Sequence, residues 1–207
     1  MKTKIAFFDF DDTLLPKDSM ARLIVFCLKK RPLSFIHLFK LAFLGILYGI
    51  KVIDFISLKE AILFPLNLLK EEELKQFYEK CLIPNYYLNV VNELKEKKQE
   101  GYLIFLVSAS PEAYLKYSDL PLDCIIGTQT KRINGHESSK IVGNNCKSEE
   151  KVRRIKEVLK QKNIEIDYDL SYGYSDSDTD YPMLKLVKNR IRINKKDGSM
   201  SQFIKEV

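Results

Sequence analysis

Residues 4–15 read KIAFFDFDDTLL, and the order of properties along this run decides the fold. An apolar stretch, Ile5–Phe8, stops at Asp9, and Asp11, Asp12 and Thr13 follow. Successive apolar residues without alternation suit a strand of a parallel sheet, buried on both faces. In an open α/β sheet, ligands gather at the carboxyl ends of the strands. The acidic turn therefore stands where such a sheet binds its ligand, and Pro16 breaks the chain beyond it.

Working outward, the same pattern recurs. Residues 102–107 (YLIFLV) are a second apolar strand, ending in Ser108-Ala109-Ser110. Residues 124–126 (CII) are a third, and residues 168–174 (YDLSYGY) lead into Asp176-Ser177-Asp178-Thr179-Asp180. RIRIN, 190–194, reads as the last strand. Helical patterns lie between them. One covers residues 86–99, before Gly101. A second opens at Ser110 as N-cap with Pro111 in its first position. A third covers 148–162 with Ser148 as N-cap, and 182–187 is helical. Residues 128–143 read as a hairpin turning at Asn134-Gly135. Strands alternating with helices predict an α/β domain with a mainly parallel sheet. Residues 18–83 read as mainly helical, too long for one crossover. We expect a core of residues 1–15 and 86–207, with residues 16–85 inserted as a helical cap.

Composition narrows the function. The 207 residues carry 34 basic and 28 acidic side chains, a net charge of +6. Such a chain is drawn to anions: phosphorylated metabolites, nucleic acid or an anionic membrane. No basic run is interleaved with stacking aromatics, so nucleic acid is set aside. Cys27, Cys81, Cys124 and Cys146 form no CxxC pair, and His37 and His136 are the two histidines. That sets zinc aside and fits idle thiols in a reducing compartment. The N-terminal apolar stretch is short for a secretory signal, so the expected location is cytoplasmic.

Taken singly, each acidic or hydroxyl cluster also reads as a turn former or helix cap. Their order and spacing carry more. Several carboxylates at one sheet edge repel one another unless a cation neutralises them. Oxygen ligands without His or Cys suit Mg²⁺. A phosphate brought by the metal needs donors, and Thr13, Ser108 and a lysine supply them. A carboxylate held against phosphorus can attack it, and a second carboxyl two residues on can move protons.

DFDDT (9–13), then VSAS (107–110), then NCKSEEKVRRI (145–155), then GYSDSDTDYPML (173–184) closely resembles the haloacid dehalogenase superfamily. The branch it resembles, subfamily IB, holds phosphoserine phosphatase-like enzymes with a helical cap after the first motif. The resemblance runs from about Lys4 to Asn194. It implies a Rossmann-like sheet with helices on both faces, and a Mg²⁺-dependent phosphatase. Position by position, Asp9 resembles the nucleophile that becomes phosphorylated. Asp11 resembles the general acid/base, with its backbone carbonyl a Mg²⁺ ligand. Thr13 and Ser108 resemble the phosphate-binding hydroxyls. Asp176 resembles the carboxylate ligand of Mg²⁺ in the last motif, with Asp9 and Asp11 completing the metal set. Asp180 resembles the acidic residue that orients that shell. The motif lysine is Lys151, which begins an apolar helical pattern, or Lys147, one turn earlier. Asp12 stands where the family often has Gly.

Substrate choice lives in the cap. Phosphoserine phosphatases hold the substrate amine with an acidic residue shortly after the first motif, and its carboxylate with a cap arginine. Asp18 occupies the acidic position. The cap stretch FISLKEAIL (55–63) has Lys59 and no arginine, and lysine cannot make the bidentate fork. Residues 32–55 (PLSFIHLFKLAFLGILYGIKVIDF) are apolar, but Lys40 and Lys51 bracket ten uncharged residues. That is short of a full span and leaves a buried cap core or an interfacial hairpin. Capped relatives include phosphatases of lipid precursors such as phosphatidylglycerophosphate, so a lipid phosphate is the leading expectation, with peripheral contact to the inner face of the membrane through the cap. Phosphoserine or another small metabolite is the alternative, and a regulatory phosphate-binding module the alternative of another class.

Overall fold

The computed structural model describes residues 2–204. Its strands are β1 (Ile5–Phe8), β2 (Leu103–Pro111), β3 (Cys124–Thr128), β4 (Thr130–Ile133), β5 (His136–Ile141), β6 (Tyr172–Ser175), β7 (Asn189–Ile193) and β8 (Met200–Gln202). Its α-helices are α1 (Ser19–Lys30), α2 (Ile36–Gly49), α3 (Phe55–Ile62), α4 (Glu71–Phe77), α5 (Leu88–Gln99), α6 (Glu112–Leu115), α7 (Glu149–Gln161) and α8 (Tyr181–Leu184).

Six strands form one sheet in the order β3-β2-β1-β6-β7-β8. All neighbours run parallel except β7 and β8. β1 is central, and its side chains alternate between two cores. Ala6 and Phe8 enter the core shared with α5 and the helical segment. Ile5 and Phe7 enter the one shared with α7 and α8. Phe8 stacks on Tyr174 at 4.2 Å, and Phe7 meets Phe105 edge-on at 5.5 Å. A strand covered on both faces has no polar side, which is why KIAFF shows no alternation. The chain winds from β1 outward through β2 and β3 and then returns to β6 on the other side of β1, so the crevice beyond the carboxyl ends of β1 and β6 is where a ligand fits.

Two local expectations are corrected. RIRIN is followed by the edge strand β8, antiparallel to β7. Ser110 does not cap a helix: β2 continues through Pro111 with a bulge after Val107, and α6 begins at Glu112. The hairpin β4–β5 turns at Asn134-Gly135, both with positive φ.

Between β1 and β2 the chain is helical and packs on the hairpin. Asn67 exchanges two hydrogen bonds with Ser139, at 2.9 and 3.0 Å. Glu60 accepts from the Ile141 backbone N–H and pairs with Lys140 at 2.6 Å. The apolar segment 32–55 is not a buried core, because α2 buries none of its residues. Pro32–Gly49 is helical over 18 residues with mean hydropathy 1.5, long and apolar enough to cross a membrane.

Gly127 in β3 lies where β2 bulges. A Cβ there would stand 2.7 Å from the Ser110 carbonyl oxygen, a backbone atom with little room to move. We predict that Gly127→Ala destabilises the fold by about 1–3 kcal/mol, read as a lower midpoint in urea unfolding.

Candidate active site

Asp9 is the first residue past β1, and its N–H still bonds to the Tyr174 carbonyl at 3.1 Å. The chain then folds back at once. Asp12 takes a left-handed conformation, φ 57°. Besides glycine, Asp and Asn tolerate this best, which accounts for an aspartate at this position. The Asp12 carboxylate accepts the Lys17 N–H at 2.8 Å, so it serves the turn. The N–H groups of Thr13, Leu14 and Leu15 all return to the Phe10 carbonyl. This turn brings the buried Thr13 hydroxyl to 3.5 Å from Asp9 Oδ2 and 3.4 Å from Asp176 Oδ1. The Asp176 N–H also bonds to it at 3.1 Å. Asp9 and Asp176, from the ends of neighbouring strands, thus meet across one hydroxyl.

Lys151, in the first turn of α7, reaches the other side of Asp9. Its buried ammonium lies 2.7 Å from Asp9 Oδ1 and 2.8 Å from Asp180 Oδ2. Asp180 also accepts from Ser175 Oγ at 2.8 Å. Lys147 lines the same cavity but makes neither contact. Burial alone lowers the Lys151 pKa, but the two carboxylates outweigh it and hold the group charged above the usual lysine value. Burial pushes Asp9 above the ordinary carboxylate range despite Lys151, and Asp180 adds to the rise. Asp176 is raised as well, by burial first and then by Asp12 and Asp180.

Asp11 faces a different set of groups. Its carboxylate accepts from the Ser19 N–H at 2.6 Å and from Ser110 Oγ at 2.5 Å. Ser19 Oγ in turn bonds to Ser110 Oγ and to the Tyr114 hydroxyl, at 2.9 and 2.7 Å. Burial lifts Asp11 to about 6, with the Ser110 hydrogen bond restraining the rise. A carboxyl with that pKa can give and take a proton near neutrality. Buried Ser108 lines the cavity, its Oγ accepting the Ser110 N–H at 3.0 Å.

The helical segment closes the top. Asp18 caps α1 by accepting the Ala21 N–H at 3.0 Å, and it lines the cavity with Met20 and Phe55. Lys59 of α3 is buried and reaches across to the core. It donates to the Ala109 carbonyl at 2.6 Å, to Thr128 Oγ1 at 3.3 Å and to Asn145 Oδ1. Burial lowers its pKa to about 8. The cavity, open to solvent on one side, has a volume of about 280 Å³.

The sequence-predicted residues Asp9, Asp11, Asp18, Lys59, Ser108, Lys147, Lys151, Asp176 and Asp180 therefore line one cavity, and Thr13 lies directly behind it. Asp178 instead pairs with Arg192, away from Asp9. Ser19, Ser110, Tyr114, Thr128 and Asn145 were missed as site residues. Each is common in type, and only the fold brings it close. Among the described residues, no three Asp, Glu, His or Cys side chains converge as a metal cage. The donors still fit Mg²⁺, which binds through one or two carboxylates and keeps several waters. Asp9, buried, and Asp176, half-buried, are carboxylates with raised pKa values facing a shared hydroxyl, an arrangement a cation relieves. The Asp11 side chain is committed elsewhere, which leaves its backbone carbonyl as the group it would offer.

A family model described as haloacid dehalogenase-like hydrolase matches residues 6–185. No curated protein matches the chain. Among solved structures, the fold is similar to that of a protein with unknown function from Bordetella pertussis Tohama I. The TM-score is 0.77 at 22% identity, over 93% of this chain and 91% of that one. A substrate-bound phosphoserine phosphatase gives 0.64 at 16% identity, over 93% and 87%. A phosphoserine phosphohydrolase-like protein from Francisella tularensis subsp. tularensis SCHU S4 gives 0.62 at 19% identity, over 93% and 88%. At such identities the likeness speaks to the fold.

Ser148, just before α7, has φ 50° and ψ −123°, a conformation that suits glycine. Its side chain makes no capping bond. Strain of this kind costs about 1–3 kcal/mol, against about 0.5–1 kcal/mol for the extra freedom of glycine in the unfolded chain. We predict that Ser148→Gly stabilises the protein by about 1 kcal/mol in urea unfolding.

Proposed function

The chain belongs to the haloacid dehalogenase-like hydrolase family, and from that premise we propose that it is a Mg²⁺-dependent phosphomonoesterase working through a phospho-aspartate on Asp9. The observation that carries this reading is the position of the Asp9 carboxylate. It sits at the end of β1 with Lys151 on one oxygen and Thr13 near the other.

In this reading an Asp9 oxygen attacks phosphorus, the P–O bond to the leaving alcohol breaks, and Asp11 protonates the departing oxygen. Ser19 and Ser110 fix the Asp11 carboxyl for that transfer. Water then attacks the acyl phosphate, Asp11 takes its proton, and inorganic phosphate and free Asp9 are released. Thr13 and Ser108 offer hydroxyls to the phosphoryl oxygens, and Lys151 offsets their charge. Asp180 holds Lys151 in place. When bound by Asp9, Asp176 and the Asp11 carbonyl, Mg²⁺ supplies further positive charge to the phosphate.

For the substrate we propose a phosphate monoester on a lipid headgroup, phosphatidylglycerophosphate being one of that class. No arginine lines the cavity among the described residues, and Lys59 is committed to three acceptors of the core. A substrate carboxylate thus lacks the bidentate partner that Arg provides. Met20 and Phe55 give the cavity wall an apolar side. Phosphoserine is the second reading, favoured by Asp18, whose carboxylate lines the cavity where an amine could bind.

Asp9→Asn is expected to abolish turnover of p-nitrophenyl phosphate with the circular dichroism spectrum unchanged; full activity in this variant overturns the reading. Lys151→Met should lower kcat by about 10²–10³-fold. EDTA should stop hydrolysis and added Mg²⁺ restore it. A panel of phosphatidylglycerophosphate, phosphoserine and sugar phosphates decides the substrate by kcat/KM.

A further inference from the structure

The side of the helical segment away from the cavity is unlike the rest of the surface. Ile36, Phe39, Phe43, Ile46 and Ile50 are between 59% and 69% exposed. With 3.6 residues per turn, the exposed positions of α2 other than Tyr48 cover an arc of roughly 200°. Lys40 stands at the edge of that arc, and every other residue in it is apolar or glycine. Water disfavours such a surface, and contiguous apolar patches of this kind mark an interaction site.

Charge identifies the partner. From Ser19 to Ile53 the chain holds Arg22, Lys29, Lys30, Arg31, Lys40 and Lys51, and no acidic residue. Lys40 and Lys51 are exposed. An apolar arc with Lys40 at its edge and Lys51 just beyond its end matches a surface with an apolar interior and an anionic rim, which is a bilayer containing anionic lipid. A second copy of the helix fits less well. A coiled-coil seam covers a narrow stripe, well under this arc, and would bring basic residues against basic residues.

The geometry also says how α2 meets the membrane. Arg31, at the end of α1 and just before the turn 32–35 that leads into α2, is held by Glu73 through two bonds of 2.7 and 2.9 Å. His37 stacks on Phe64 at 4.7 Å, and Tyr48 meets Phe55 at 5.9 Å. The helix is thus strapped along its length to the segment beneath it. Asp18, before α1, and Lys59, in α3, line the same cavity, so the chain on both sides of α2 returns to one place. A helix crossing the bilayer would separate those ends.

We propose that α2 is a membrane-docking element that lies in the plane of an anionic bilayer. Its exposed arc sits among the upper acyl chains, and Lys40 and Lys51 reach the headgroups. Phe55 lines the cavity and meets Tyr48 on the strapped side of α2, so the docking helix is tied to the cavity wall. Docking stands on the surface alone; its use in delivering a lipid phosphate rests on the function proposed above.

The test is flotation of the full chain with vesicles of phosphatidylcholine alone or of phosphatidylcholine mixed with phosphatidylglycerol, with p-nitrophenyl phosphate hydrolysis measured on the same samples. The native chain should float with the mixed vesicles and far less with the neutral ones. The triple variant Phe39→Ser, Phe43→Ser, Ile46→Ser should lose roughly a hundredfold or more in vesicle binding. Lys40→Glu with Lys51→Glu should lose about tenfold or more on the anionic vesicles only. Both variants should hydrolyse p-nitrophenyl phosphate as the native chain does. Absence of flotation by the native chain overturns the proposal. So does unchanged flotation of the triple variant, or a native dimer that the triple variant abolishes without any vesicle binding. Flotation without hydrolysis leaves docking intact and overturns the phosphatase reading instead.

Discussion

The buried ammonium of Lys151 between Asp9 and Asp180 is the interaction on which the rest of the structure depends. Two carboxylates sealed at the end of a sheet repel each other, and losing water costs each of them further. A single cation in contact with both makes that arrangement tenable. To place it, α7 must pack on the face of the sheet with its first turn near the carboxyl end of β1, and the chain enters that helix through the strained backbone of Ser148. Asp180 and Asp9 come from either side of that contact. Strand order, helix position and local strain all serve one ion cluster.

Asp11, two residues from Asp9, lies in separate surroundings. Asp9 meets a lysine and a threonine, while Asp11 meets a backbone N–H and a serine hydroxyl. Two identical side chains therefore acquire different proton affinities and different jobs. The division depends on the tight turn at Asp12, which points the first carboxylate into the ion cluster and the second toward α1.

Much of this was legible in the sequence, for reasons that differ by element. β1 and β2 announce themselves because strands covered on both faces must be apolar throughout. The acidic loops after β1 and β6 are legible because so many carboxylates have few uses outside a site. β8 was not, because an exposed edge strand of three residues carries no pattern. Ser110 was misread because Ser-Pro commonly opens a helix, and the carboxylate that claims its hydroxyl lies 99 residues away. The apolar character of residues 32–55 was plain. That α2 buries none of its residues fully and leaves one broad apolar side exposed was not, since hydropathy is the same for a helix inside a core and one left outside.

Lys59 has a mechanical consequence. Its ammonium grips the carbonyl of Ala109, the residue between Ser108 and Ser110. The helical segment is thereby tethered to the stretch of backbone that presents both serines. Lifting that segment would exchange three protein acceptors for water, while Thr128 keeps its own hydrogen bond of 2.6 Å to the Ala109 carbonyl. The hold of the helical segment on the sheet and the placement of the two serines thus share one peptide group as their anchor, like a hinge pin set in the frame it serves.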